Sequence, residues 1–217
     1  MTPTARAEAR AWMVERQLRR RGIGDERVLE AMSAVPREAF LPEPMQPFAY
    51  EDSALPIGHA QTMSQPFIVA SICMLLELEG AERVLDVGTG SGYQAAVLDE
   101  LAAEVVTIER IPELAARARE ALVAAGHEQV DVRVGDGSLG VPDAAPFDAI
   151  AVAAAAPSLP RPLYEQLVAG GRVVIPRGSR WGQELVCIAK TEAGPVERGS
   201  VPCRFVPLVG AEAFADG

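Results

Sequence analysis

Arg83-Val84-Leu85-Asp86-Val87-Gly88-Thr89-Gly90-Ser91-Gly92-Tyr93 starts as a short apolar run rich in valine and ends in three glycines spaced one residue apart. Such a stretch reads as a strand, Arg83 to Val87, that turns sharply into a helix from Tyr93 to Leu101. Glycine lets the backbone turn and lets a ligand approach main-chain N–H groups, and doubly wound α/β folds bind nucleotides at this junction. The spacing is GxGxG, so the third glycine comes one position too early for the dinucleotide fingerprint GxGxxG. Bulky Tyr93 also occupies the place that fingerprint keeps for close packing. Asp86 adds an acid that would repel a pyrophosphate and that suits a cationic methionine moiety. The loop, with Gly88, Thr89 and Gly90 at its centre, therefore points to S-adenosylmethionine rather than to a nicotinamide dinucleotide.

Working outward, strand and helix keep alternating: a strand at Glu104 to Ile108, a helix from Pro112 to Ala125, then strands at Val130 to Val134, Ala149 to Ala153 and Arg172 to Pro176. That alternation implies right-handed crossovers and a mainly parallel, doubly wound sheet. Val130, Val132 and Val134 alternate with Asp131 and Arg133, which places their strand at an edge, whereas the strands around Val84 and Val105 read as continuous apolar runs. Gln183 to Lys190 and Val201 to Val206 have no helix between them and are expected to pair antiparallel at the far end. Glu109 closes the second strand, where a carboxylate can accept hydrogen bonds from both ribose hydroxyls. Asp136, in Gly135-Asp136-Gly137, closes the third strand and can accept from an adenine amino group. Three successive strand ends thus carry residues suited to methionine, ribose and adenine. The expected fold is an α/β, Rossmann-like class I S-adenosylmethionine-dependent methyltransferase with an N-terminal helical segment and antiparallel C-terminal strands.

The 217 residues suffice for one domain with a full core, and we read the chain as a single methyltransferase domain. Residues 1–80 supply helices and a substrate loop, and residues 81–217 supply the cofactor-binding sheet. Helices are predicted over Ala5 to Arg21 and over Asp25 to Ala34, with Asp25 as N-cap of the second. Pro36, Pro42, Pro44, Pro47 and Pro56 argue against regular structure, but Phe40, Leu41, Phe48, Tyr50, Leu55 and Ile57 among them point to an ordered loop packed on the domain. Ile68, Ile72, Leu75 and Leu76 recur at helical spacing after Gln61-Thr62-Met63-Ser64-Gln65-Pro66, with Ser64 placed as an N-cap.

A net charge of -10 makes nucleic acid a poor partner. The basic run at Arg16, Arg19, Arg20 and Arg21 lies in the last turns of a helix that Gly22 would end, where cations suit the helix dipole. Three cysteines without a CxxC spacing argue against a disulfide framework or a zinc site, and no run reaches the ~18 apolar residues that a membrane span needs. The expectations are a cytoplasmic monomer with no metal and no membrane contact. Only two histidines, His59 and His127, are present, and His59 reads as solvated.

Beyond the nucleotide loop, Arg21-Gly22-Ile23, Val35-Pro36-Arg37, Leu55-Pro56-Ile57-Gly58, Gln61 to Pro66, Ile108-Glu109-Arg110, Gly135-Asp136-Gly137, Ala154-Ala155-Ala156-Pro157 and Arg204-Phe205-Val206-Pro207-Leu208 occur in order. In these segments the chain resembles the protein-L-isoaspartate O-methyltransferases from near its N-terminus to Leu208. The resemblance implies methyl transfer from S-adenosylmethionine to the α-carboxylate of L-isoaspartyl residues in damaged proteins and peptides. It implies that Ser64 is the catalytic serine and that Thr62, Met63, Ser64, Arg110 and Gly137 join the cofactor site with Asp86, Glu109 and Asp136. It also implies that a strand from Arg204 to Leu208, with Phe205 and Val206, walls a peptide groove beside Thr62, Ser64 and Ala154. Met63 stands where isoleucine is commoner, and Ala153 where glycine or threonine is frequent. Two other readings remain: a methyltransferase for aspartate on a dedicated peptide, and a non-catalytic adaptor that keeps the fold.

Overall fold

The computed structural model describes residues 2–179 and 181–215. Helix α1 (Pro3–Met13) runs on through a wider turn over 14–18 and a tighter one over 19–21, and Gly22 ends it at φ +101°. Three of the four arginines in the basic run are paired: Arg19 with Glu26 and Glu15, Arg20 with Glu15, and Arg21 with Asp52. Helix α2 (Glu26–Ala34) starts where the sequence places it, because the Asp25 carboxylate accepts hydrogen bonds from the N–H groups of Arg27 and Val28.

The proline-rich segment is more regular than expected, forming short 3₁₀ helices over 37–40 and 43–48. Proline has its φ preset for a first helical turn, and the second helix carries Pro44 there, just after Pro42 at its N-cap. Phe40, Leu41, Tyr50, Leu55 and Ile57 are buried, as an ordered loop requires, whereas Phe48 stays exposed. A two-stranded antiparallel hairpin follows, β1 (Leu55–Gly58) and β2 (Gln61–Met63), with Leu55 opposite Met63. Helix α3 (Pro66–Leu76) then packs its apolar residues into the core.

The main sheet is formed by β3 (Arg83–Val87), β4 (Glu104–Glu109), β5 (Asp131–Val134), β6 (Phe147–Val152), β7 (Leu167–Gly178), β8 (Gln183–Thr191) and β9 (Gly194–Cys203). Its spatial order is β5-β4-β3-β6-β7-β8-β9. The first five strands are parallel, connected through α4 (Tyr93–Asp99), α5 (Pro112–Ala125) and α6 (Arg161–Glu165), while β8 and β9 are antiparallel additions. β5 is the edge strand that its alternation predicted. β9 begins seven residues before the Val201 expected from sequence, since its first half is an exposed edge carrying Pro195, Glu197 and Arg198. Such residues protect an edge and leave no apolar alternation to read. The expected strand at Arg204 to Leu208 is not formed. That segment is held instead by backbone bonds from Ala155 N–H to the Val206 carbonyl, from Leu208 N–H to the Ala155 carbonyl and from Phe214 N–H to the Leu208 carbonyl.

Successive strand residues serve two cores. Val84, Val105, Ala149, Ala151 and Val174 join Met32, Ile72, Leu98 and Leu122 on the face covered by the helices α1 to α5. Leu85, Val87, Val106, Ile108, Ile150 and Val152 join Phe147, Leu163 and Leu208 on the other. Strand order reverses between β3 and β6, so the loops leaving their carboxyl ends diverge and open a cleft at the usual ligand position of such sheets. Among the described residues no helix is long and apolar enough to cross a membrane.

Candidate active site

The cleft is lined by Gln61 to Ser64, Val69, Val87 to Ser91 with Tyr93 and Gln94, Ile108 to Ile111, Gly137, Ala153 and Ala154, and Val206 to Val209. Of the residues predicted from sequence, it gathers Thr62, Met63, Ser64, Gly88, Thr89, Gly90, Glu109, Arg110, Gly137, Ala154 and Val206. Gly88, Gly90 and Gly92 all have positive φ, of 97°, 54° and 90°, which other residues rarely adopt. A Cβ on Gly137 would lie 2.6 Å from Val87 Cγ1, so only glycine leaves the floor of the cleft open there.

Two carboxylates hold the nucleotide loop. Glu109 accepts from Gly90 N–H at 2.8 Å through Oε2 and from Ile111 N–H at 3.0 Å through Oε1, and it is 6% exposed. A carboxylate has about four acceptor positions, so Glu109 retains capacity for a ribose diol. Asp86 is placed differently from expectation. Its carboxylate is wholly buried beneath the loop and does not face the cleft. It accepts from Gln94 Nε2 at 2.7 Å and from Thr107 Oγ1 at 2.8 Å, and Thr107 Oγ1 lies 2.6 Å from Thr89 Oγ1. Burial raises its pKa to about 6, opposed by the bonds from Gln94 and Thr107 and reinforced by the Glu109 charge. Asp86 thus acts on a ligand through the loop rather than by contact.

Asp136 is also redirected. Its Oδ1 accepts from the Ser138 N–H and hydroxyl, and its Oδ2 from Ala211 N–H at 2.8 Å, so it ties the C-terminal segment to the turn after β5. Burial works against its charge, but the Ala211 and Ser138 donors prevail and hold its pKa below the usual carboxylate range. Gly137, not Asp136, borders the cleft. Arg204 and Phe205 lie outside its lining, with Phe205 fixed by bonds between its backbone and the Gln183 amide.

The Ser64 turn is clamped from below by a residue that sequence reading did not single out. Arg37 is 0% exposed and donates from Nε to the Ala49 carbonyl at 2.8 Å and from Nη2 to the Ser64 carbonyl at 2.7 Å. Its guanidinium carbon lies 4.9 Å from the centre of the Tyr93 ring. Burial pushes its pKa down, and Tyr93 and Tyr50 partly restore it. Ser64 is not the cap of α3 as the sequence suggested. Gln65 holds that position without a side-chain bond, because Pro66 takes the first helical turn. The Ser64 hydroxyl makes no hydrogen bond among the described residues and lines the cleft.

Missed as well were Gln61, Ser91, Tyr93, Gln94 and the hydrophobic border of Ile108 and Ile111. Gln94 had one readable signal, a polar residue on the buried face of a helix. S-adenosylmethionine fits this lining. The glycine floor leaves room, Glu109 offers acceptors for a diol, and the Gln94 side-chain oxygen is buried with no partner, as an acceptor awaiting a donor would be.

Comparison with known proteins agrees with this geometry. Residues 9–213 match the family model described as Protein-L-isoaspartate(D-aspartate) O-methyltransferase (PCMT). The chain is 55% identical over 210 residues to Protein-L-isoaspartate O-methyltransferase 2 of Marinobacter nauticus, covering 96% of each chain. It is 55% identical over 201 residues to the Methanoculleus marisnigri Protein-L-isoaspartate O-methyltransferase, covering 91% of this chain and 90% of that one. Among solved structures, a protein-L-isoaspartate O-methyltransferase superposes with a TM-score of 0.83 at 29% identity, over 94% of this chain and 67% of the other. A Plasmodium falciparum beta-aspartate methyltransferase (PCMT) in complex with S-adenosyl-L-homocysteine gives 0.80 at 26% identity, over 92% and 98%. By sequence, fold and the composition of its cleft, the chain belongs to the protein-L-isoaspartate (D-aspartate) O-methyltransferase family.

Proposed function

We propose that Ser64 aims the α-carboxylate of an L-isoaspartyl residue at the methyl group of S-adenosylmethionine, and that the reaction needs no general base. The observation that supports this is the state of Ser64: its carbonyl is fixed by buried Arg37, while its hydroxyl has no partner among the described residues and borders the cleft. As a member of its family, the chain transfers a methyl group from S-adenosylmethionine to isoaspartyl carboxylates and so starts their repair.

S-adenosylmethionine supplies an electrophilic methyl group on a sulfonium. A carboxylate with a pKa near ~4 is already ionised at neutral pH, so the protein has no proton to remove. Its task is orientation in a partly dry cleft, since the opposite charges of carboxylate and sulfonium cancel as the methyl moves. Glu109 and the glycine loop fix the donor side, and the Ser64 turn with Ala154 and Val206 fixes the acceptor side. The ester product carries a better leaving group than a carboxylate. The neighbouring backbone nitrogen then closes a succinimide, whose hydrolysis returns some normal aspartate. Under this reading Glu109, Gly88 to Gly90 and Gly137 contact the cofactor, Asp86 and Asp136 support the cofactor loops, and Arg204 and Phe205 belong to the outer wall of the peptide groove.

We further read the chain as one domain, because a single apolar cluster joins Met13 and Met32 of the N-terminal segment to Val84 and Val174 of the sheet. A monomer in the cytoplasm is the matching proposal. Its three cysteines are unpaired, as a reducing compartment keeps them.

Ser64→Ala tests the central role. With the N-cap role gone, stability should change by less than about 0.5 kcal/mol. Loss of a hydrogen bond to a charged group, ~1.5 to 3 kcal/mol, should lower kcat roughly ten- to hundredfold and leave cofactor affinity intact. A folded, saturated Ser64→Ala enzyme that turned over at the wild-type rate would end the proposal.

A further inference from the structure

We propose that Gln94 binds the α-ammonium of the methionyl group of S-adenosylmethionine and S-adenosylhomocysteine, accepting its hydrogen bond through the side-chain oxygen. Gln94 is the second residue of α4, is 6% exposed and borders the cleft next to the glycine loop. Its Oε1 is buried without a partner. Buried carbonyl groups are nearly always paired, and an unpaired one is a standing penalty that a bound donor removes.

The direction of the amide is set from behind. Asp86 Oδ2 is occupied by the Thr107 hydroxyl, itself in contact with Thr89, so the carboxylate cannot rotate freely, and Oδ1 is presented to Gln94. An ionised carboxylate requires the NH₂ side of the amide, at 2.7 Å, and that leaves the oxygen turned away from Asp86. The ligand atom that meets it must be a donor. With one acid behind the amide and Glu109 on the far side of Gly90, a positively charged donor is favoured and the methionyl carboxylate is repelled. The ribose hydroxyls belong with Glu109, so the group left for Gln94 is the ammonium. Asp86, which the sequence had assigned to the methionine moiety by contact, then acts on it through Gln94 as a positioning residue.

This inference rests on the cofactor assignment and not on the identity of the methyl acceptor. The experiment is calorimetric titration of wild type and Gln94→Met with S-adenosylhomocysteine and with its desamino analogue, in which hydrogen replaces the ammonium. Wild type should prefer S-adenosylhomocysteine by tenfold or more. In Gln94→Met that preference should fall at least tenfold, towards unity, while the affinity for the desamino analogue changes by less than about threefold, as expected for loss of one charge-assisted bond. An equal preference in both proteins would overturn the proposal. If Gln94→Met does not fold, the Gln94 side-chain amide resonances of the wild-type protein decide. They should shift with S-adenosylhomocysteine and not with the desamino analogue, and identical shifts would refute the assignment. Failure of S-adenosylhomocysteine to bind wild type at all would instead sink the cofactor assignment and this inference with it.

Discussion

The two sides of the cleft are held by opposite charges. On the cofactor side, two acids grip the loop: Glu109 holds the Gly90 and Ile111 amides, and Asp86 holds Gln94 and Thr107. On the substrate side, one buried cation, Arg37, grips the carbonyls of Ala49 and Ser64. The cofactor is a cation and the substrate group an anion, so each clamp carries the charge that attracts the ligand bound over it. Both clamps join distant parts of the chain: Glu109 reaches Gly90 across nineteen positions and Asp86 reaches Thr107 across twenty-one, while Arg37 reaches across twelve and twenty-seven.

The largest effect that would break this comparison is at Arg37. Arg37→Met leaves two buried carbonyls without donors and a smaller side chain in a filled space, and should lower stability by about 3 to 4 kcal/mol. Denaturant unfolding measures it. A loss below about 1 kcal/mol would mean that the guanidinium does not clamp the Ser64 turn.

Glu109→Ala is next. Its carboxylate holds the loop and is expected to hold the ribose, so cofactor affinity should fall by ~2 to 3 kcal/mol. Unchanged affinity in calorimetry would remove Glu109 from the site.

The smallest and most diagnostic effect is at Asp86. Its pKa is raised from 3.8 to about 6 by burial, so between those values the unfolded chain binds fewer protons than the folded one. Stability arising from this group is therefore complete below about pH 4 and is lost as pH rises through about 6. Asp86→Asn removes the buried charge, and the Thr107 and Thr89 hydroxyls can reverse their donor direction to meet an amide. The substitution should stabilise the protein at pH 7 by about 1 to 2 kcal/mol, below the ceiling of about 3 that a two-unit shift allows, and by little at pH 4. A pH-independent effect, or destabilisation at neutral pH, would show that the carboxylate is not under desolvation strain.

The same contrast explains what the sequence revealed. The cofactor side was legible because a strand, a glycine turn and a helix follow one another locally, and Glu109 sits at the end of the next strand. Even there Asp86 was aimed wrongly. Alternation along β3 puts it on the face of Val84, opposite Leu85 and Val87, so it points under the loop at α4. The Ser64 cap was misplaced although Pro66 carried the signal, since proline at the first helical position makes Gln65 the cap. Arg37 could not be found by periodicity, because its partners are backbone groups brought close only by tertiary structure. The first half of β9 was hidden by the charged residues and proline that protect its edge, and α6, five residues long, is too short to show a helical period.

The central claim, that this cleft methylates isoaspartyl carboxylates, is tested most directly with paired peptides that differ only in one isoaspartyl or aspartyl linkage, each titrated with S-adenosylmethionine under single-turnover conditions. The extra backbone carbon moves the carboxylate relative to the Ser64 turn, so the isoaspartyl peptide should accept methyl at least a hundredfold faster, the equivalent of about 3 kcal/mol in the barrier. Equal rates on the two peptides would contradict the account.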